Sequence, residues 1–408
     1  MHQSCNFCLR PVSEADVTRP CLRRKPLRAG CATTASRPLQ PARLLRRRCC
    51  RRRACSLSQH QQSYLKARRL GETADSSEEE TVANILVISR RDAPELEVLR
   101  HLPRNASVLA IGSSMQDFSG LTQQDWDRVN ALLSTWGAGH SFLQELWPRV
   151  SKLRWIHSSS VGVDKLLWPD LINSSVIVSN ARGVFSSSLA EWALFACSYF
   201  AKDLPRMLAQ QQSRKWEKYN VEELRDRKMG IIGYGSIGQA CARLAQSYGM
   251  HVTAVSRTGV APPKAKLPGV QVLSTGRLNE VMSQSDYIVA ALPETPDTCA
   301  LIDAAAINAM QRRAVFINIG RGTTVCEPAL SSALETNAIR GAALDVFASE
   351  PLPADSILWQ LPNVLVSPHC ADQTAVFQHN ALLQWIDNVS RFSRHQQLLN
   401  VVDKQLGY

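Results

Sequence analysis

"MGIIGYGSIGQACARLAQSYGM", residues 229–250, is the stretch on which the fold of this chain turns. Met229 to Ile232 read as a short buried strand, and glycines follow at Gly233, Gly235 and Gly238. A helical pattern then puts Ile237, Cys241, Leu244, Ala245 and Tyr248 on one face, with Gly249 placed to cap its end. In such a G-x-G-x-x-G unit the first glycine makes a tight turn. The second lets the backbone approach a pyrophosphate, and the third allows close helix packing. Amides and the helix dipole near Ser236 and Ile237 then hold the negative charge. The glycine spacing alone is a weak signal, but a strand before it, a helix after it and a second strand at "HVTAVS" (251–256) supply the context it requires.

The end of that second strand bears on which dinucleotide is bound. An Asp or Glu there would hold the ribose hydroxyls of NAD, whereas this chain has Ser256, Arg257 and Thr258. A carboxylate repels an adenosine 2'-phosphate, while a guanidinium and two hydroxyls attract it. NADP is therefore expected, with NAD possible. The plain alternative is an exposed arginine that stacks on adenine and discriminates little.

Outward from this unit, apolar runs alternate with helical patterns. The runs are 84–89, 107–112, 153–159 and 176–181 before it, then 287–292, 314–320, 341–347 and 364–369 after it. Short continuous apolar strands separated by helices of ten or more residues indicate an α/β protein with parallel sheets covered on both faces. A helix from about Ser187, apolar nearly all round until Asp203, should break or kink at Pro205. Its apolarity implies burial between domains or against a second subunit.

Downstream strands end on ionisable residues. "VFINIGRGTTV" (315–325) sets Arg321 between two glycines, "LDVFASEPLP" ends near Glu350, and "VLVSPHCA" carries His369. Strand ends after the fingerprint should open onto the crevice that holds the nicotinamide. A guanidinium there binds a carboxylate or polarises a ketone. A histidine delivers the proton that a reduced carbonyl oxygen needs, and a carboxylate beside it stabilises its charged form. Each residue alone has a duller reading: a turn arginine, a loop glutamate before Pro351, a histidine satisfied within a Pro-containing loop.

Together, "GYGSIG", "ALPETPDTCALI", "FINIGRG", "ALDVFASEPLP" and "NVLVSPH", in that order, make the chain from about residue 82 onward resemble the D-isomer-specific 2-hydroxyacid dehydrogenases. The resemblance implies a Rossmann-type coenzyme domain inserted in a flavodoxin-like substrate domain. Here that gives 82–184 plus 372–408 for the substrate domain and 185–371 for the dinucleotide-binding domain, usually dimeric through the latter. It implies that Arg321 binds substrate, that His369 is the acid/base and that Glu350 pairs with it. It further implies that amides near Val161 and Gly162 hold the substrate carboxylate, with Asp164 structural. Asp345 is expected near the nicotinamide carboxamide, Pro293 and Thr298 on the cofactor loop, and Ser186 to Ser188 in contact nearby. The missing acid at 256 is similar to the NADPH-using glyoxylate and hydroxypyruvate reductases of that family. Glu350 departs from the formate dehydrogenases, which have Gln at that place. A non-enzymatic, dinucleotide-sensing role of the corepressor-like kind stands as the alternative.

Charge separates the first 70 residues from the rest. The net charge is +12, yet residues 1–70 hold 17 Lys or Arg against Glu14 and Asp16, which leaves the body near neutral. Residues 1–80 are expected to be a disordered basic transit peptide and linker, since an Arg-rich, acid-poor, Ser-containing start resembles organelle import signals. A chloroplast is the first expectation and a mitochondrion the second; a nucleic-acid-binding arm is the competing reading. Neither a membrane nor a nucleic acid is expected as partner of the body, whose partner is a small 2-oxo or 2-hydroxy acid. Cys197, Cys241, Cys299, Cys326 and Cys370 show neither metal nor disulfide spacing and are expected to be reduced and mostly buried, and no metal is expected.

Overall fold

The computed structural model describes residues 80–135, 140–261 and 267–408. The transit peptide expected at 1–80 lies, but for Glu80, outside the described residues.

Two parallel sheets carry the chain. Strands β1 (Ala83–Ile88), β2 (Ala106–Gly112), β3 (Ala131–Ser134), β4 (Trp155–Ser158) and β5 (Ile177–Asn180) form the first, in the order β2-β1-β3-β4-β5. That is the flavodoxin-like order. The second holds β6 (Lys228–Ile232), β7 (His251–Ser256), β8 (Gln271–Ser274), β9 (Tyr287–Ala290), β10 (Val315–Asn318), β11 (Gly341–Leu344) and β12 (Val364–Val366), in the order β12-β11-β10-β9-β6-β7-β8. The chain runs outward from β6 through β7 to β8, then returns to β9 beside β6, so the strand order reverses at the β6/β9 pair. Ligands of open α/β sheets bind at such a reversal. The central strands β9, β10 and β11 are buried along their whole length, as the unbroken apolar runs required.

Helices cover both faces of the second sheet. Ser186–Ala201 and Ser236–Ser247 pack on one face, with Ala193, Cys197, Cys241 and Ala245 among the core. Leu278–Gln284, Ala304–Asn308 and Glu327–Glu335 cover the other. The long helix Phe377–Ser393 returns to the first sheet, where Leu382, Trp385 and Val389 pack against Ile85 and Val87.

Several sequence expectations need correction. Strands β3 and β8 were not anticipated. The runs read as 287–292, 314–320, 341–347 and 364–369 extend two or three residues past their strands, and Leu292, Gly320, Phe347 and His369 at their ends line the cleft. The helix from Ser187 divides in two. Asp203 adopts a left-handed conformation (φ 51°) and caps a second helix, Leu204–Ser213, which starts with Pro205 in its first turn and buries no side chain. Only the first part is buried. Gly249 does cap its helix, at φ 76°, but Tyr248 lies on the solvent side, 49% exposed. Of the five cysteines only Cys197 and Cys241 are buried; Cys299 and Cys370 are exposed because each sits on a loop beyond a strand end.

Candidate active site

The three fingerprint glycines do three different things. Gly233 stands at φ 102°, and a β-carbon there would come within 2.5 Å of the Ala291 carbonyl oxygen. Gly238 faces inward, where a β-carbon would meet the Gly233 oxygen at 2.1 Å. Gly235 is exposed, and a β-carbon on it would meet nothing within 4 Å. The middle glycine thus keeps open the space in front of the helix that begins at Ser236. Gly235, Ser236 and Ile237 line a cavity of about 800 Å³ between the two sheets. The donors and the open glycine suit a pyrophosphate.

Arg321, Asp345, Glu350, His369, Pro293, Val161 and Gly162 line the same cavity. Arg321 enters it from the end of β10. Its Nε and Nη2 donate to Asp164 Oδ1 at 3.3 and 3.2 Å, and Nη1 donates to the Gly320 carbonyl at 2.9 Å. The guanidinium passes so close over the loop after β4 that a β-carbon on Gly162 would lie 1.6 Å from Nη2. The glycines flanking Arg321 are needed for close approach of protein rather than for an open turn: β-carbons on Gly320 and Gly322 would strike the backbones of Leu292 and Phe347.

His369 projects from the loop after β12 at φ 52°, a left-handed conformation uncommon for a non-glycine residue. Its backbone N–H donates to the Asp345 carbonyl at 2.9 Å. Asp345 is 1% exposed, and its carboxylate accepts from Ser367 Oγ (2.6 Å) and from the N–H groups of Cys370 (3.0 Å) and Ala371 (3.2 Å). A buried carboxylate satisfied in this way fixes the histidine loop. His369 Nδ1 lies 2.8 Å from Glu350 Oε2, and Glu350 Oε1 accepts from the Phe347 N–H at 3.0 Å. With Nδ1 committed to the carboxylate, Nε2 is left to exchange a proton in the cavity. Ser188 Oγ donates to the Ala371 carbonyl at 2.6 Å, tying the helix Ser186–Ala201 to the same loop.

Other expected contacts lie off the cavity wall. The Thr298 hydroxyl donates to the Pro293 carbonyl at 2.7 Å and accepts from the Thr295 N–H at 2.9 Å, so it shapes the loop from behind instead of facing the cleft. Ser256 Oγ accepts from the Gly259 N–H at 3.1 Å, and Arg257 and Thr258 are exposed beyond the cavity's mouth.

Three residues at the site escaped the sequence reading in whole or part. Tyr408 lies with its ring centroid 5.9 Å from the Arg257 guanidinium and lines the cavity with Gly407. The segment that carries it is anchored to the first sheet: Val402 donates to the Val178 carbonyl, and Lys404 Nζ donates to the carbonyls of Leu171, Ser174 and Val176. Asp164, read as structural, is the partner of Arg321. Asp372 lines the cavity three residues past His369. No sequence signal marks Tyr408 or Asp372, although Asp372 follows a motif histidine closely enough to have been considered. Among the described residues no group of side chains suits a metal ion.

A flavodoxin-like sheet, a second parallel sheet with a Gly-rich strand–helix turn of the dinucleotide-binding kind, and an Arg/Glu/His cluster between them make up the site. Residues 194–371 match the family described as D-isomer specific 2-hydroxyacid dehydrogenase, NAD binding domain. A 2-hydroxyacid dehydrogenase from Xanthobacter autotrophicus Py2, solved with NADPH and MES, is 28% identical (TM-score 0.69), over 80% of this chain and 100% of that one. An NADPH-dependent glyoxylate/hydroxypyruvate reductase from Sinorhizobium meliloti, solved with NADP and sulfate, is 26% identical (TM-score 0.67) with the same coverage. The D-3-phosphoglycerate dehydrogenase of Methanocaldococcus jannaschii is 30% identical over 270 residues, 65% of this chain and 50% of that protein. The chain spans about half the length of the curated relatives it matches.

Proposed function

We propose that the chain reduces a short 2-oxo acid to the 2-hydroxy acid with NADPH, glyoxylate or hydroxypyruvate being the substrate. The observation that carries this reading is the convergence of Arg321 and the His369–Glu350 pair on one cavity that continues to the open glycine at 235. When bound, the nicotinamide supplies the hydride to carbon 2. Arg321 and the amides near Val161 and Gly162 hold the substrate carboxylate. His369 gives the proton at Nε2 to the developing alkoxide, and Glu350 stabilises the charged ring. Asp164 restrains the guanidinium so that it meets substrate already oriented. Arg257 supports NADP over NAD, because residues 256–258 hold no Asp or Glu to repel a 2'-phosphate. The full chain, offered NADPH and then NADH with glyoxylate, hydroxypyruvate, pyruvate and a bulkier 2-oxo acid, is expected to consume NADPH with the two smallest acids. No consumption with any acid refutes the reading.

The chain is further proposed to act as a homodimer in a chloroplast, with a mitochondrion as the alternative. Phe195, Met207, Leu208 and Val221 are exposed on or just after the Ser186–Ala201 and Leu204–Ser213 helices, and Trp216 is 95% exposed. Exposed apolar side chains this frequent within 195–221 favour a covered face. Sedimentation that reports a monomer removes the dimer, and an uncleaved N-terminus on the protein purified from cells removes import with processing.

A further inference from the structure

The acids in the cleft are not alike. Asp164 is paired with Arg321, Glu350 with His369, and Asp345 with three donors of the histidine loop. Asp372 is half-buried on the same cavity wall, yet among the described residues no side chain hydrogen-bonds its carboxyl. It lies between β12 and the helix Phe377–Ser393, on the loop that Asp345 holds in place, near enough to His369 and Arg321 to feel both charges. Burial and the neighbouring Asp345 hold its carboxyl above the usual carboxylate range, while His369 and Arg321 pull it back. Among the described residues its own backbone N–H is the donor that reaches it, which leaves the carboxyl with acceptor capacity for a ligand hydroxyl.

Resting on the proposed function, we infer that Asp372 is a specificity-determining residue: its carboxyl receives a hydrogen bond from a hydroxyl on the substrate's third carbon and repels a substrate that carries a phosphate there. The substrate's carboxylate is taken by Arg321 and the loop amides, and its carbonyl oxygen lies between Arg321 and His369. The remaining substituent must face the rest of the wall, where Asp372 stands. Lys165 and Arg182 also line the cavity but are exposed. Their charge draws anionic acids toward the cavity. A site that hydrogen-bonds a substrate hydroxyl disfavours the analogue that lacks it, because the buried group is then left unpaired.

The test compares the full chain with Asp372→Asn and Asp372→Ala, each checked for folding by thermal unfolding. NADPH consumption is followed with glyoxylate, hydroxypyruvate and 3-phosphohydroxypyruvate. In the parent, hydroxypyruvate is expected to have the higher kcat/KM, and the phosphorylated acid the lowest. Asp372→Ala is expected to lower the ratio of hydroxypyruvate to glyoxylate at least about tenfold. Asp372→Asn, which keeps an acceptor but loses the charge, is expected to preserve most of that ratio while raising the relative rate on the phosphorylated acid. Parent turnover with unchanged ratios in both variants overturns the role of Asp372 alone. Absence of parent turnover on every acid overturns the proposed function and this inference with it.

Discussion

Replacing Gly235 by alanine should strengthen the fold slightly and weaken the coenzyme site markedly, two effects of opposite sign from one methyl group. Gly235 has φ −78° and ψ −162°, extended backbone that alanine adopts without strain, and its β-carbon would meet nothing within 4 Å. Alanine also has fewer unfolded conformations to lose, so Gly235→Ala should be about 0.4–1 kcal/mol more stable in the absence of ligand. The open space, however, is the one assigned to the pyrophosphate. A methyl intruding on a well-packed contact costs about 1–3 kcal/mol, which corresponds to roughly 5- to 150-fold weaker NADPH binding. Gly238→Ala is the control: its β-carbon would lie 2.1 Å from the Gly233 oxygen, so the fold itself must suffer. The two variants are compared by thermal unfolding without coenzyme and by NADPH titration followed by nucleotide fluorescence. Gly235→Ala binding NADPH as tightly as the parent would refute the assignment of this space.

His369→Gln should lower kcat by about 10²- to 10⁴-fold while NADPH affinity is retained; near-parental turnover removes His369 from the proton transfer. Ser256→Asp should raise the KM for NADPH at least about tenfold and that for NADH far less, and equal effects on both would show that the end of β7 does not read the 2'-phosphate. His157 is fully buried, with Nδ1 2.8 Å from Ser179 Oγ, and burial lowers its pKa from 6.5 to about 3. Because the folded value is the lower one, only the unfolded chain takes up a proton as pH falls below 6.5, so stability drops from there towards pH 3. At pH 4.5, about 2 pH units below 6.5, the loss from this group is roughly 3 kcal/mol. Urea unfolding at pH 7.5 and 4.5 measures it, and His157→Gln with an undiminished difference would show that another group is responsible.

How far the sequence could be read depended on whether a signal was local. The fingerprint is contiguous, so Gly233, Gly235 and Gly238 could each be assigned a task from the sequence alone. Apolar runs located ten strands, but β3 and β8 were missed; β8 opens on the exposed Gln271 and is only partly buried thereafter, so it carries no continuous apolar run. Arg321, Glu350 and His369 were recognisable because each follows a strand whose end must reach the crevice. Partners set by tertiary contact were not readable. Asp164 is 157 positions from Arg321, and nothing in either stretch names the other. Asp345 was expected near the nicotinamide carboxamide, but the three donors its carboxylate holds come 22 to 26 residues later and were not readable. Tyr408 meets Arg257 only because Lys404 and Val402 pin its segment to the first sheet.

The most direct test of the account follows the transferred atom. The full chain is incubated with glyoxylate and NADPH bearing deuterium at the transferable position of nicotinamide carbon 4, and the product is examined by mass spectrometry and NMR. The account predicts glycolate carrying one deuterium on carbon 2, formed in step with NADPH oxidation and lost in His369→Gln. NADPH oxidation without labelled 2-hydroxy acid, or no oxidation despite tight NADPH binding, would contradict it.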